Sequence, residues 1–174
     1  MDVFEAISKR HSYRGGFTDK PIPREDLEKI VRAGLLAPSG CNAQTTSFVI
    51  VNDANTLAAI SSLFEKTFVR EAKAMIICVV EHREVFKGCS FAVEDCSAAV
   101  ENILLAITAL GYATVWMDGA LRGSRGAKIA EILGVPQGKE ARVLLPLGVP
   151  SETRKQPEKL PFEKRAWFNR YGSA

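Results

Sequence analysis

A seven-residue apolar run, "AMIICVV" at residues 74–80, places the strongest constraint on the fold of this chain. It has the length of a β-strand, but no polar residue alternates through it, which is typical of a strand covered on both faces. The β-branched run "SFVIVND" at 47–53 and the apolar run "ARVLLPLGVP" at 141–150 predict two more strands. We therefore expect a sheet with helices packed on both sides.

Helical spacing of apolar residues fills the segments between these runs. In "PIPREDLEKIVRAGLLAPSG" at 21–40, early acidic residues suit a helix N-terminus, and Pro38 predicts its end. The segment "SFAVEDCSAAVENILLAITALG" at 90–111 predicts a long central helix, apolar on enough sides to form a subunit interface as well. With a first helix near 2–9, a helix capped by Asp53, a strand "ATVWM" and a helix "AKIAEILGV", the order predicts an α/β sandwich of about four strands.

Composition narrows the class of protein. A chain of 174 residues is the size of one domain, and 23 basic against 20 acidic residues leave a net charge of +3, too small to favour nucleic acid. The four cysteines form no C-x-x-C pair and there are only two histidines, so no metal site is expected. No targeting segment or membrane-length apolar run is visible, and we expect a cytoplasmic protein with no membrane partner.

The basic stretch "KRHSYR" at 9–14 is the first that could carry chemistry. In an extended chain alternate side chains share a face, so Arg10, Ser12 and Arg14 would point together. Two guanidinium groups and a hydroxyl can hold a phosphate or an electron-rich carbonyl. Taken alone, the stretch favours the alternative, a solvated basic turn.

Two loops after helices or strands could contribute polar groups to a ligand. In "APSGCNAQTTSF" at 37–48, Asn42 and Gln44 each offer a donor and an acceptor, as a heteroaromatic ring edge requires. In "TVWMDGALRG" at 114–123, Asp118 and Gly119 follow a strand, where backbone amides can address a ligand. Ordinary turn chemistry is the alternative for both.

A glycine-rich stretch, "GALRGSRGAK" at 119–128, looks like a phosphate loop but lacks the Gly-Lys-Ser/Thr of that motif. Arg122 and Arg125 are interpreted instead as loop charges at the rim of a substrate entrance. No G-x-G-x-x-G follows a first strand, which argues against a Rossmann nucleotide site.

Taken in order, these stretches resemble the nitroreductase family of FMN-dependent oxidoreductases, over almost the whole chain. Its R-x-S-x-R-like opening matches Arg10, Ser12 and Arg14, and A-P-S-x-x-N-x-Q matches 37–44, although Thr45 and Thr46 replace the usual Pro-Trp. The remaining matches are a D-x-x-x-A-x-x-N-x-x-L-A helix, an L-G-x-x-x-x-W ending and a P-L-G-x-P strand, carried by Asp95, Ala99, Asn102, Leu105, Ala106, Leu110, Gly111, Trp116 and Pro146 to Pro150.

The resemblance implies an α+β nitroreductase-like three-layer sandwich, with a mixed, mostly antiparallel sheet of about four to five strands flanked by helices. It implies one domain over 1–174, working as a homodimer with FMN in clefts at the dimer interface. The C-terminal extension, 151–174, would dock on the partner subunit, a role that its aromatic residues suit.

Carried over residue by residue, the resemblance implies a set of cofactor-binding residues and no catalytic ones, since the flavin carries the chemistry. Arg10 is the favoured cation beside the pyrimidine edge of the ring, and the tail would add a phosphate contact through one of three basic residues. The full set is Arg10, His11, Ser12, Arg14, Pro38, Ser39, Asn42, Gln44, Asp118, Gly119, Arg154, Lys155 and Lys159.

The predicted activity is an FMN-dependent oxidation of NADH or NADPH that reduces nitroaromatic, quinone or related small acceptors by a ping-pong mechanism. Another flavin reaction on the same scaffold, of the dehalogenase or flavin-fragmenting type, stays open because of Thr45 and Thr46. A non-enzymatic FMN-binding protein is the third hypothesis.

Overall fold

The computed structural model describes residues 1–173 and is built around a four-stranded sheet with strand order β1-β2-β4-β3. Every pair of neighbouring strands in the described chain is antiparallel. The predicted α+β class and the helices on both faces are confirmed, and the sheet is antiparallel rather than mixed. The strands are β1 (Thr46–Val51), β2 (Ala74–Glu81), β3 (Ala113–Thr114) and β4 (Lys139–Gly148).

Within residues 1–173, six α-helices surround this sheet. Aspartates begin two of them, because Asp2 accepts from the Glu5 N–H and Asp53 from the Thr56 N–H, each at 2.9 Å. The prediction of an Asp53 cap is therefore confirmed, whereas the short helix α4 was not predicted. The helices are α1 (Val3–Lys9), α2 (Arg24–Leu35), α3 (Ala54–Ser61), α4 (Thr67–Arg70), α5 (Ala92–Ala109) and α6 (Ser124–Ile132).

Strand β2 lies at the centre of the sheet and is buried along nearly its whole length, as its uninterrupted apolar run predicts. Met75, Ile77 and Val79 face a core formed with α3, α4 and α6. The alternate residues, including Ile76 and Cys78, face a second core formed with α2 and α5. The two cores and the sheet between them make the three layers.

Strand β3 is shorter than the predicted "ATVWM" because its neighbour in β4 contains a proline. Leu144 exchanges both backbone hydrogen bonds with Met117, at 3.0 and 3.1 Å. In the same register Val115 lies opposite Pro146, which has no N–H to donate. The Thr114 hydroxyl donates to the Pro146 carbonyl at 2.7 Å instead, and the ladder resumes only at Met117.

The segment after β4 returns along the N-terminal stretch before becoming exposed. Ser151 donates its backbone N–H to the Gly16 carbonyl at 3.0 Å, and the Gln156 amide donates to the carbonyl of Arg10. Beyond these contacts the described part of the tail, up to Ser173, contains a short 3₁₀ turn at Phe162–Lys164 and keeps Phe168 and Tyr171 exposed. Among residues 1–173 no helix has both the length and the apolar character needed to span a bilayer.

Candidate active site

A cavity of about 600 Å³ opens on the side of the sheet covered by α3, α4 and α6. Its floor is the segment after β3, and its wall is the loop that joins α3 to α4. Three cations line it: Arg14 from the N-terminal stretch, Lys66 from the loop and Arg125 from α6. The remaining lining residues are Ser62, Leu63, Phe64, Glu65, Phe68, Val115, Trp116, Met117, Asp118, Gly119 and Ala120.

The structure places Arg14 in the lining of the same cavity as Asp118 and Gly119, although more than 100 positions of the chain separate Arg14 from these two residues. The Tyr13 N–H donates to the Thr114 carbonyl at 2.8 Å, which holds the N-terminal stretch beside β3. Tyr13 is buried while its neighbour Arg14 is exposed, so the guanidinium is directed outward from the core.

Arg125 is held in the cavity wall at the start of α6, rather than in a loop as predicted. Its guanidinium donates to the carbonyls of Leu63 and Ala120, at 3.1 and 2.8 Å. It also lies over the Phe64 ring, 4.9 Å from the centroid. These contacts join the loop after α3 to the turn after Asp118, and so set the width of the cavity.

The charge of the cavity favours an anionic or electron-rich ligand. Asp118 is already paired, with its two carboxylate oxygens 3.2 Å from Arg122 and 3.4 Å from Arg142. Glu65 is the other carboxylate in the lining, against Arg14, Lys66 and Arg125. Cationic groups therefore outnumber uncompensated carboxylates at this surface.

A second cavity, of about 300 Å³, lies beside the same N-terminal stretch and contains His11 and Arg154. His11 places Nδ1 2.9 Å from the Lys9 carbonyl, while its buried Nε2 has no hydrogen-bond partner in the described chain. The Arg154 guanidinium lies over the Tyr13 ring, 5.8 Å from its centroid. The same guanidinium pairs with the Glu152 carboxylate at 2.6 Å, and both side chains line this cavity, so an anionic ligand would compete with Glu152 for Arg154.

The loop that carries the predicted amide groups lies elsewhere within the chain. Pro38, Ser39 and Gln44 line a small cavity of about 50 Å³ against α2 and α5, on the opposite face of the sheet from the large cavity. Asn42 is exposed on the same loop. One chain therefore does not gather all three predicted stretches into one site.

This loop is strained and is held by specific contacts. Cys41, Asn42 and Gln44 have positive φ angles of 51°, 53° and 51°, a conformation that costs energy for residues other than glycine. The buried carboxylate of Asp95 accepts from the Gly40 N–H at 2.8 Å and from the Thr45 hydroxyl at 2.9 Å.

Two further hydrogen bonds complete the hold on the loop. The Ser39 hydroxyl accepts from the Gln44 N–H at 3.1 Å, and Arg83 donates to the Ala43 carbonyl at 2.7 Å. Backbone strain that is fixed in this way is concentrated at functional sites, which is why the loop stays a candidate despite its position.

The other predicted residues lie around the first helix and the tail. Arg10 is half-buried, with Nε 3.3 Å from a carboxylate oxygen of Glu101 on α5. Ser12 is exposed between His11, which lines the cavity of about 300 Å³, and Arg14, which lines the large cavity, and Lys155 and Lys159 are exposed in the tail. Arg14, and not Arg10, is thus the arginine of the motif that lies in the large cavity.

Lys66 and its neighbours were missed from the sequence. They occupy "FEKTF" at 64–68, a stretch with no motif, in which Phe64 and Phe68 are buried while Glu65 and Lys66 are exposed in the cavity lining. The mixture of a buried aromatic pair with charged residues in a loop was the only signal available.

Comparison with known proteins gives the family. The nitroreductase family model matches residues 7–85 and 69–149. A protein of Archaeoglobus fulgidus named "Putative NADH dehydrogenase/NAD(P)H nitroreductase" is 36% identical over 156 residues, covering 88% of each chain. A protein of the same name from Methanothermobacter thermautotrophicus is 33% identical over 94% of this chain and 88% of its own length.

A solved structure supports the same relationship. That of an FMN-dependent nitroreductase from Clostridium difficile R20291 has a TM-score of 0.82 and 26% identity, and covers 97% of this chain and 99% of its own. With the family model matching most of the chain and two relatives above 30% identity, this chain belongs to the nitroreductase family of oxidoreductases.

Proposed function

We propose that this protein is an FMN-dependent oxidoreductase that takes electrons from NADH or NADPH and passes them to nitroaromatic, quinone or related small acceptors. The observation that carries the proposal is the large cavity, whose lining contains Arg14, Asp118 and Gly119 together with the cations Lys66 and Arg125. The names of the relatives, and FMN in the name of a structural neighbour, support it.

The residues present fit the parts of FMN. The cavity volume of about 600 Å³ accommodates a flat ring system, and Arg14 offers a guanidinium to its electron-rich edge. In the adjoining cavity the Arg154 guanidinium would bind a dianionic phosphate in place of its present partner Glu152, and the orphaned Nε2 of His11 lies in the same lining. Bound FMN would supply the hydride and electron transfer chemistry, while the chain binds, orients and shields it.

We further propose that a second copy of the chain completes the site. The strained loop with Asn42 and Gln44 faces away from the large cavity of its own chain, so only a partner could bring these amides to it. Leu36, next to this loop in the chain, is 83% exposed, and Phe4 on α1, the helix that packs against α5, is 79% exposed. Such residues are typical of a surface that another chain covers.

In this proposal the donor and the acceptor use the same open cavity in turn, giving a ping-pong mechanism. Trp116 and Met117 form an apolar floor for a flat molecule, and Lys66 offers a charge near the opening. Flavin chemistry needs no nucleophile from the chain, whose part is to orient both substrates and limit access of water.

The visible spectrum of the purified protein tests the cofactor and the reaction together. We expect flavin absorbance as purified or after addition of FMN, bleaching by NADH or NADPH without oxygen, and recovery on adding a quinone or nitroaromatic. Parallel double-reciprocal plots would support the ping-pong order. Protein that binds no FMN would overturn the proposal, and flavin that no nicotinamide reduces would leave only FMN binding.

Arg14→Gln tests the proposed role of the cavity. It removes a cation from the lining, so we expect FMN affinity to fall by about tenfold, the effect of roughly one charge-assisted hydrogen bond. Arg24→Gln is the matched control, because Arg24 pairs with Glu28 on the exposed face of α2. Equal FMN affinities in the two variants would contradict the placement of FMN beside Arg14. Light scattering of the same samples would test the proposed dimer, for which we expect twice the mass of one chain.

A further inference from the structure

Arg142 lies outside the large cavity but contacts its wall. It is on β4, and its side chain is only 13% exposed. Its Nε is 3.4 Å from Asp118 Oδ1, and Nη1 is 3.6 Å from Glu140. An arginine with so little exposure requires carboxylate partners, and Asp118 is the one that belongs to the candidate site.

A β-bulge directs Arg142 toward Asp118. Cys78 pairs with Val143 while the next residue, Val79, pairs with Ala141, so Arg142 is the extra residue and has no partner on β2. A bulge bends its strand and changes the direction of the side chain, and bulges occur frequently beside active sites. The register between Met117 and Leu144 then places Asp118 beside the bulge.

Asp118 depends on Arg142 because its other partner is weak. Arg122 contacts Oδ2 from an exposed position four residues on, where solvent reduces the strength of an ion pair. Oδ1 is buried and has no hydrogen-bond partner in the described chain, so the charge of Arg142 is what compensates it. The Asp118 carbonyl also accepts from the Leu121 N–H at 2.8 Å, which starts the turn at Gly119–Leu121.

We propose that Arg142 is a positioning residue for this turn, acting through Asp118. It holds the peptide groups of Asp118 and Gly119 toward the cavity and neutralises a carboxylate that would otherwise repel negative charge there. The inference rests on the proposed function for its effect on catalysis, since a reduced flavin gains negative charge in that cavity. Its effect on the turn itself does not depend on any ligand.

Arg142→Gln removes the charge and is compared with Lys139→Gln as a matched control. Lys139 is on the same strand and pairs with Glu81, away from the cavity. In the ligand-free protein we expect faster amide hydrogen exchange at 118–121 in Arg142→Gln and wild-type exchange in Lys139→Gln. With FMN, we expect kcat to fall by about tenfold from misplacement at the reacting centre, with little change in FMN affinity.

A double-mutant cycle tests whether Arg142 acts through Asp118. We expect Arg142→Gln to have little further effect on kcat in an Asp118→Asn background, where no carboxylate needs compensation. The midpoint potential of bound FMN should become more negative in Arg142→Gln and return toward wild type in Arg142→Lys, which restores the charge. A purely structural residue would not move the potential in this pattern.

The outcomes separate this inference from the proposed function. Unchanged exchange at 118–121 in Arg142→Gln, or losses that add fully in the double mutant, would overturn the role of Arg142. Failure of the wild-type protein to bind FMN would overturn the proposed function and leave the exchange experiment intact. If Arg142→Gln does not fold, the exchange experiment uses Arg142→Lys instead. One ammonium group cannot contact both Asp118 and Glu140 as the guanidinium does, so we expect faster exchange at 118–121 in this variant as well.

Discussion

At the scale of single residues, Asp95 accounts for the departure from the usual Pro-Trp of the family. The Thr45 hydroxyl takes one of the two hydrogen bonds that the Asp95 carboxylate accepts, and the other comes from the Gly40 N–H. The departure therefore adds a contact between α5 and the strained loop that a proline could not make. Thr46 has the opposite environment, since its buried Oγ1 has no partner in the described chain.

The two threonines make a matched pair of variants. Thr45→Val leaves an Asp95 oxygen buried without its donor, so we expect the free energy of unfolding to fall by about 1–3 kcal/mol. Thr46→Val removes a hydroxyl that is already unpaired, and we expect no loss of stability. Urea unfolding of both variants checks the prediction, and equal losses at the two positions would contradict the contacts described here.

At the scale of elements, the site depends on how closely α6 packs against its neighbours. A Cβ on Gly126 would lie 2.3 Å from the Leu121 carbonyl oxygen and 3.2 Å from that of Ala141. Both atoms are backbone and cannot rotate away. The glycine therefore fixes the distance between α6, the turn after Asp118 and β4, and so the position of Arg125 in the cavity wall.

Gly126→Ala is expected to push these elements apart. We expect a loss of about 1–3 kcal/mol in the free energy of unfolding, as for other overpacked sites, together with weaker FMN binding. Gly119→Ala is the control for stability, because nothing lies within 4 Å of a Cβ at that position. Thermal unfolding of both variants decides the matter, and a Gly126→Ala protein as stable as the control would refute the packing argument.

At the scale of the whole molecule, a side-chain hydrogen bond joins the segment after α5 to the first turn of α2. Tyr112, just after α5, donates to Asp26 in the first turn of α2 at 2.8 Å. Partial burial, and then the hydrogen bond to Asp26, raises the pKa of Tyr112 from 10.0 to about 12. The hydrogen bond to Lys29 and then that to Tyr112 lower the pKa of Asp26.

The raised pKa predicts a dependence of stability on alkaline pH. Because the folded protein favours neutral Tyr112, its contribution is complete below pH 10 and is lost as the pH rises toward about 12. Tyr112→Phe should therefore flatten the fall in the free energy of unfolding across this range. When tyrosine absorbance is followed against pH, the variant should lack the ionisation at the highest pH. A titration curve identical to that of the wild type would contradict the raised pKa of Tyr112.

The sequence by itself determined the layers of the fold and pointed to three residues that line the large cavity, Arg14, Asp118 and Gly119. The unbroken run of β2 requires cover on both faces, and the period of α5 requires a buried helix, because both patterns are local. The interruption of β3 depended on Pro146, a residue more than thirty positions away, and so was not predicted.

Only the tertiary structure decided which residues share a cavity. It placed Arg14 rather than Arg10 beside Asp118, and it added Lys66 from a loop with no motif. It also directed the Arg142 side chain toward Asp118 by a β-bulge, which no pattern of residues in the sequence predicts. The physical reason is that register, bulges and the facing of loops depend on contacts between distant segments, which the local pattern of apolar residues does not specify.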